Sequence, residues 1–339
     1  MGEPEPPAGP PAWRRRLVQV ARLGVVAVVG FFIVYWTARS WSDVRTAFAA
    51  LSWTSLILAG LAALGAIIVT MLSWRAVVTD LGHELPVAAA GQINLVGQLG
   101  KYVPGSVWAY LLQMELARRH GVPRARGFLA SLVATMLGIT AGVLIGTLGL
   151  RAMLDYAGTE AETRTIRWVF YVSLVLVPVV VAYAHPRVLN RLVGVALRLT
   201  RRPPLDRPVS WRGVTRSLGW SVTGYLLCGL HLWLLAGSVA PAARTVEGLL
   251  VCVGAFALAM IAGTFFVIAP AGLGVRDVVV VAALAGAGII DSDSSGLALG
   301  VALASRLLFT VADLIAAGAA ALVALNRGVR PDQPSHATP

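Results

Sequence analysis

The sequence predicts an all-α polytopic membrane protein with about six to eight transmembrane helices and two broken, re-entrant helical hairpins. Three observations carry this prediction. Hydrophobic residues make up 57% of the chain and charged residues only 13%, whereas about a quarter of a soluble domain is charged. Apolar stretches long enough to cross about 30 Å of hydrocarbon, roughly 20 helical residues, recur at 17–38, 53–77, 128–150, 168–184, 214–239, 249–268 and 297–325. Two further apolar segments, 87–117 and 275–290, are shorter or interrupted.

The chain opens on MGEPEPPAGPPAW, too proline-rich to bury a core, so residues 1–16 are expected to be a disordered tail. The apolar run at 17–38 has the length of a full span and no small-residue cleavage site after it, which predicts a retained first helix rather than a secretory signal. Residues 17–326 then form a single transmembrane, transporter-like domain, and 327–339 a second short polar tail.

Charge sets the orientation. Eight arginines and one acid, Asp206, lie between Arg187 and Arg216. Four arginines and one acid lie between Glu115 and Arg126, and Arg14, Arg15, Arg16 and Arg22 flank the first span. By contrast, 151–167 carries three charges of each sign, and 291–295 is purely acidic. This is the positive-inside pattern of a multi-pass protein of the cell inner membrane, with both termini cytoplasmic. It accounts for the formal net charge of +12 without a nucleic-acid partner. Cys228 and Cys252 fall inside apolar spans, where a thiol packs as a hydrophobe. The five histidines lack metal-ligand spacing. No metal and no cofactor are expected.

With the termini inside, the span at 53–77 returns to the cytoplasm, and the arginines after Glu115 are cytoplasmic too. The segment between must enter and leave on one side. Pro104 and Gly105 supply the turn, since proline cannot donate to the helix ladder and glycine tolerates turn dihedrals. The expected half-helices are 87–99 and 106–118. A second break, FFVIAPAGLGVRDVVVV with Pro270, Gly272 and Gly274, would make a hairpin entering from the opposite face. Opposed broken hairpins in two halves are the sequence sign of an inverted-repeat transporter. A competing parse makes 249–268 and 275–290 two full spans, moving Arg276 to the cytoplasmic surface.

Charges at depth are few, and each costs on the order of 2.5–3.5 kcal/mol at a helix centre. Arg276 and Asp277 sit at the second break, and Arg306 and Asp313 lie within the last span. The simplest structural reading pairs Arg306 with Asp277 and Asp313 with Arg276. Lys101, the only lysine beside 27 arginines, sits at the first break with no nearby acid except Glu115. An unpaired ammonium there calls for an anion such as a phosphate, assisted by the half-helix N-terminus at Ser106. Lys101→Ala is accordingly expected to abolish binding or transport with little loss of folded protein. Asn94 and Gln98 share one face of the first arm and either stitch helices together or touch a headgroup. His231 reads as a hydrogen-bonded packing residue, and Gly138, Gly142 and Gly146 as a stripe for close helix packing.

Catalytic motifs are absent: the sequence contains no GxSxG, HExxH or paired CxxC. The segments KYVPGSVW and APAGLGVRD instead resemble the lysylphosphatidylglycerol synthase transmembrane family, the membrane half of the multiple-peptide-resistance lipid synthase/flippase proteins and their stand-alone relatives. Similar proteins carry K-Y-x-P-G, matched by Lys101, Tyr102, Pro104 and Gly105, and P-x-G-x-G-x-R-E, matched by Pro270, Gly272, Gly274 and Arg276. Asp277 stands where the family has glutamate, which puts the pairing geometry there in question. In larger relatives a cytoplasmic aminoacyltransferase domain makes the lipid and the membrane domain is thought to move it. The resemblance implies lipid translocation or binding rather than synthesis. The expected function is a non-enzymatic transporter or flippase for an anionic lipid, either a phospholipid or a polyprenyl-phosphate-linked headgroup. The alternative is a non-transporting membrane scaffold or accessory subunit. The oligomeric state is open, a homodimer included.

Overall fold

A computed structural model describes residue 45 and residues 49–102, 107–155, 160–199, 203–205, 207–265, 272, 274–290 and 295–326. The expected first span, both tails, the acidic 291–294 turn and the Pro104, Gly105, Ser106 and Pro270 positions lie outside these residues.

The described chain is helical, as expected. α1 (Trp53–Asp80) begins on Ser52, whose side chain accepts from the Ser55 N–H at 3.1 Å. The first broken segment follows as α2 (Val87–Gly91), a π turn (Gln92–Val96), a 3₁₀ turn (Leu99–Tyr102) and α3 (Val107–Arg119). Next come α4 (Arg124–Leu154), α5 (Glu160–Ala184) and α6 (Pro186–Leu199). The second half holds α7 (Trp211–Val239), α8 (Val246–Phe265), α9 (Val275–Gly286) and α10 (Ser295–Asn326). Six of these, α1, α4, α5, α7, α8 and α10, are long and apolar enough to cross a membrane. Their outward faces, such as Ile57 and Leu61 on α1 or Val172, Val175 and Val179 on α5, remain exposed, as a lipid-facing surface requires.

α1 and α7 form the antiparallel centre of the bundle. At one end, Asp80 accepts from the Ser210 backbone N–H at 2.6 Å, tying the last turn of α1 to the N-cap of α7. Midway, the Ser73 hydroxyl meets those of Ser217 at 2.8 Å and Ser221 at 3.0 Å. At the other end, His231 Nδ1 donates to the Ala59 carbonyl at 2.9 Å. A carbonyl can only accept, so Nδ1 carries the proton and Nε2 takes the Ser305 hydroxyl, also at 2.9 Å. His231 is therefore fully satisfied inside the core.

The segment after α1 folds back on itself as a hairpin. Gly97 lies against Gln113, and a Cβ on Gly100 would fall 2.5 Å from the Ala109 nitrogen. Only glycine permits this approach of the two arms. The arms run antiparallel, and the Gln92 amide at the start touches His120 beyond the end at 2.8 Å. The segment enters and leaves on the same side.

α8 and α9 form the second hairpin. α8 runs antiparallel to α4: Gly149 abuts Gly254, Gly146 faces Leu258, and Gly142 faces Ile261 and Tyr225. This register carries the end of α8 only to the middle of the 31-residue α4. The 12 residues of α9 cover about 18 Å, short of the roughly 30 Å of a bilayer core. The end of α8 therefore lies level with the middle of α4, which favours the hairpin over two spans.

The two hairpins enter from opposite sides, and each packs its first arm on the last long helix of the other half. Gly91 lies against Ala320 of α10, and Gly254 against Gly149 of α4. Half one (α1, hairpin, α4) and half two (α7, hairpin, α10) thus run in opposite directions with matching contacts, the arrangement of an inverted repeat. The expected glycine stripe on α4 is displaced. Gly142 and Gly146 are packed, but Gly138 has nothing within 4 Å and the tightest contact is at Gly149. Gly149→Leu should force α4 and α8 apart and cost upward of about 3 kcal/mol. Size-exclusion profiles of the extracted variant should show mostly aggregated protein, whereas Gly138→Ala should elute as wild type.

Candidate functional site

Both hairpin tips end on α10, whose Arg306 and Asp313 lie seven residues apart on one face, about 10 Å along the axis. From the first tip come Lys101 and Tyr102, on the 3₁₀ turn that closes the arm. Lys101 Nζ lies 2.7 Å from Asp313 Oδ2. The Tyr102 hydroxyl donates to the same oxygen at 2.6 Å. Lys101 also stands 5.4 Å from the Tyr102 ring centroid. Asp313 is buried and its two donors are not, so the carboxylate belongs to the last helix and the tip docks on it.

This corrects the expectation that Lys101 lacks an acidic partner. Asp313 pairs with Lys101, not with Arg276. Glu115, the other acid considered, is engaged by Arg118 at 2.8 Å and Arg124 at 2.6 Å. Those guanidiniums, Arg118 first, hold its carboxyl down to about 2. Sequence separation hid the Lys101 pairing, because the partners are 212 positions apart and nothing local marks them.

At the second tip, Gly272 and Gly274 take φ of +66° and +84°, a backbone that side-chain-bearing residues rarely adopt. The turn launches α9 with Asp277 in its first turn. Asp277 accepts from the Gly274 N–H at 3.1 Å, capping the helix. It also accepts from Arg306 Nε at 3.1 Å, with Arg306 Nη2 at 2.9 Å from its second oxygen. The aspartate's shorter reach is enough because α10 passes directly beside the turn.

Arg276 makes no ion pair among the described residues. Its guanidinium carbon sits 4.3 Å from the Phe256 ring centroid and 4.8 Å from that of Phe309, resting against a pair of rings whose centroids are 5.3 Å apart. Its buried Nη2 has no hydrogen-bond partner. Cation–π contact contributes on the order of 2 kcal/mol when desolvated, while desolvating an ion costs several. Among the described residues of the site, Lys101, Arg276 and Arg306 outnumber Asp277 and Asp313 by one positive charge. Sequence inspection could not find Phe256 and Phe309, which look like any other phenylalanines in apolar spans.

The amides contribute differently. Asn94 is buried within the π turn and Gln98 is half-buried just beyond it. Among the described residues neither is hydrogen-bonded to Lys101, Asp313 or Arg276. A π turn in an otherwise α-helical arm frequently accompanies a functional site; here it sets the first tip against α10.

The Lys101–Asp313 pair predicts a specific coupling. Lys101→Ala strands a buried carboxylate with only the Tyr102 hydroxyl, so it should lower the thermal midpoint of the purified protein. Adding Asp313→Asn should recover much of that loss, with a coupling energy on the order of 1–3 kcal/mol. Additive effects in the double variant would show that the pair does not hold the tip.

A family model described as the lysylphosphatidylglycerol synthase TM region matches residues 19–317, a span that takes in both hairpins and Asp313. No curated protein matches the chain.

Proposed function

The chain belongs to the lysylphosphatidylglycerol synthase transmembrane family, and from that premise we propose that it moves an anionic lipid across the bilayer, receiving the headgroup between the two hairpin tips. The carrying observation is Arg276, a half-buried residue whose guanidinium rests against two neighbouring phenylalanine rings, with a buried Nη2 that lacks a hydrogen-bond partner and no ion pair among the described residues. A phosphate fits the vacancy in charge, and guanidinium binds phosphate through paired N–H donors. Either a phospholipid or a polyprenyl-phosphate-linked headgroup supplies that chemistry.

The inverted repeat gives the motion a physical form. Each tip approaches from one side and docks on α10, so rocking one half against the other exposes the mid-depth cation first to one leaflet and then to the other. The Lys101–Asp313 pair closes one route. A phosphate arriving beside it competes with Asp313 for the ammonium, which would undock the first tip. Lys101 thus acts as a latch that the substrate's charge can open, with Arg276 as the primary anion-binding group. The protein carries out no chemical step in this scheme.

The test is reconstitution into liposomes containing phosphatidylglycerol labelled on its headgroup, with an impermeant reductant added outside. Wild-type protein should make the inner-leaflet pool reducible at a rate that scales with protein content. If phospholipid and polyprenyl-phosphate probes all remain protected, the protein is a lipid-binding scaffold and does not transport.

A further inference from the structure

α6 presents three faces, and one of them packs on the protein. Leu189 and Val193 are buried against the arginine-rich end of the bundle, in a cluster with Val77, Leu81, Val209 and Val214. Asn190 locks this face in place. Its Nδ2 donates to the Val209 carbonyl and its Oδ1 accepts from the Val209 N–H, both at 2.8 Å.

A second face is apolar and uncovered. Val188, Leu192, Val195 and Leu199 recur at helical spacing and are 36%, 46%, 50% and 80% exposed. A third face, about a quarter turn from the second, carries Arg187, Arg191 and Arg198. All three are exposed, and none has a carboxylate partner among the described residues. A water-facing surface helix needs no apolar stripe, and a buried one would not carry three bare arginines.

The surroundings indicate what covers these faces. α5 exposes Val175, Val179 and Val181 as it descends to the bend at His185, and the apolar stripe of α6 begins at that bend. Trp211, 57% exposed, stacks edge-on to His185 at 5.0 Å, and tryptophan favours the headgroup level of a bilayer. Exposed Arg212 and Arg216 add positive charge on the neighbouring helix.

The geometry points to a second lipid contact separate from the hairpin tips: α6 lies in the membrane–water interface of the arginine-rich leaflet. Its four apolar side chains sit among acyl chains, and Arg187, Arg191 and Arg198 rest on the phosphates of anionic phospholipids. The partner is the anionic membrane surface itself, and the bidentate Asn190 clamp transmits that attachment to the start of α7.

The test uses the full chain in nanodiscs of phosphatidylcholine and phosphatidylglycerol, with Cys228 and Cys252 replaced by alanine and a nitroxide at Val195→Cys or Arg191→Cys. The Val195 label should be more accessible to oxygen than to an aqueous nickel chelate, and the Arg191 label the reverse. Converting Arg187, Arg191 and Arg198 together to glutamine should lower the protein's preference for spin-labelled phosphatidylglycerol over phosphatidylcholine by about twofold or more. A Val195 label as open to nickel as the Arg191 label would place the face in water and overturn the assignment. So would an unchanged lipid preference in the triple variant. Both readouts are independent of lipid flux, so this contact can fail while transport stands, and the converse.

Discussion

Arg306→Ala is expected to remove most of the folded protein from a detergent extract. The guanidinium holds both oxygens of Asp277, and Asp277 in turn caps the first turn of α9 through the Gly274 N–H. Removing the cation leaves a buried carboxylate facing apolar helices. Breaking a buried pair in this way costs roughly 3–5 kcal/mol, a large share of the 5–15 kcal/mol that holds a typical domain together. The damage should spread, because the Gly272–Gly274 turn loses its anchor on α10 and the second tip is no longer positioned. Arg306→Lys should recover only part of the yield, since an ammonium cannot span both carboxylate oxygens as the planar fork does. Fluorescence-detected size exclusion across a temperature ramp measures this directly. A midpoint unchanged from wild type would mean that packing, and not the ion pair, fixes the second hairpin.

Much of the architecture was legible in the sequence because bilayer physics leaves few options. Spans must be long and apolar, and a break at depth must be protected, so Gly272 and Gly274 and the interruption after Lys101 marked both hairpins in advance. The choice between a hairpin and two spans for 249–290 was not legible. It depends on the register of α8 against α4, set by Gly149 meeting Gly254, a contact between residues more than a hundred positions apart. The charge pairing failed for a related reason. Proximity along the chain suggested that Lys101 was alone and that Arg276 faced Asp313, yet the inverted packing delivers Lys101 to Asp313 and leaves Arg276 against two phenylalanines. The lone lysine stood out in the sequence, but its partner Asp313 did not. Residue rarity says nothing about which charge is compensated.

Arg276 can be replaced without the loss of folded protein that Arg306→Ala brings. It has no ion-pair partner to strand among the described residues, so Arg276→Gln should fold at wild-type yield or better, since replacing an uncompensated buried charge relieves its desolvation penalty. The same change removes the group proposed to bind the headgroup phosphate. A charge-assisted hydrogen bond contributes about 1.5–3 kcal/mol, so losing even one should slow transport by about tenfold or more. The decisive measurement is the rate of inner-leaflet phosphatidylglycerol reduction in liposomes holding equal amounts of folded wild-type and Arg276→Gln protein. Flux from the Arg276→Gln protein is expected at least about tenfold below wild type while folding is unchanged. Equal flux from the two proteins would contradict a headgroup-binding role for Arg276, because anionic lipid would then be crossing without its guanidinium.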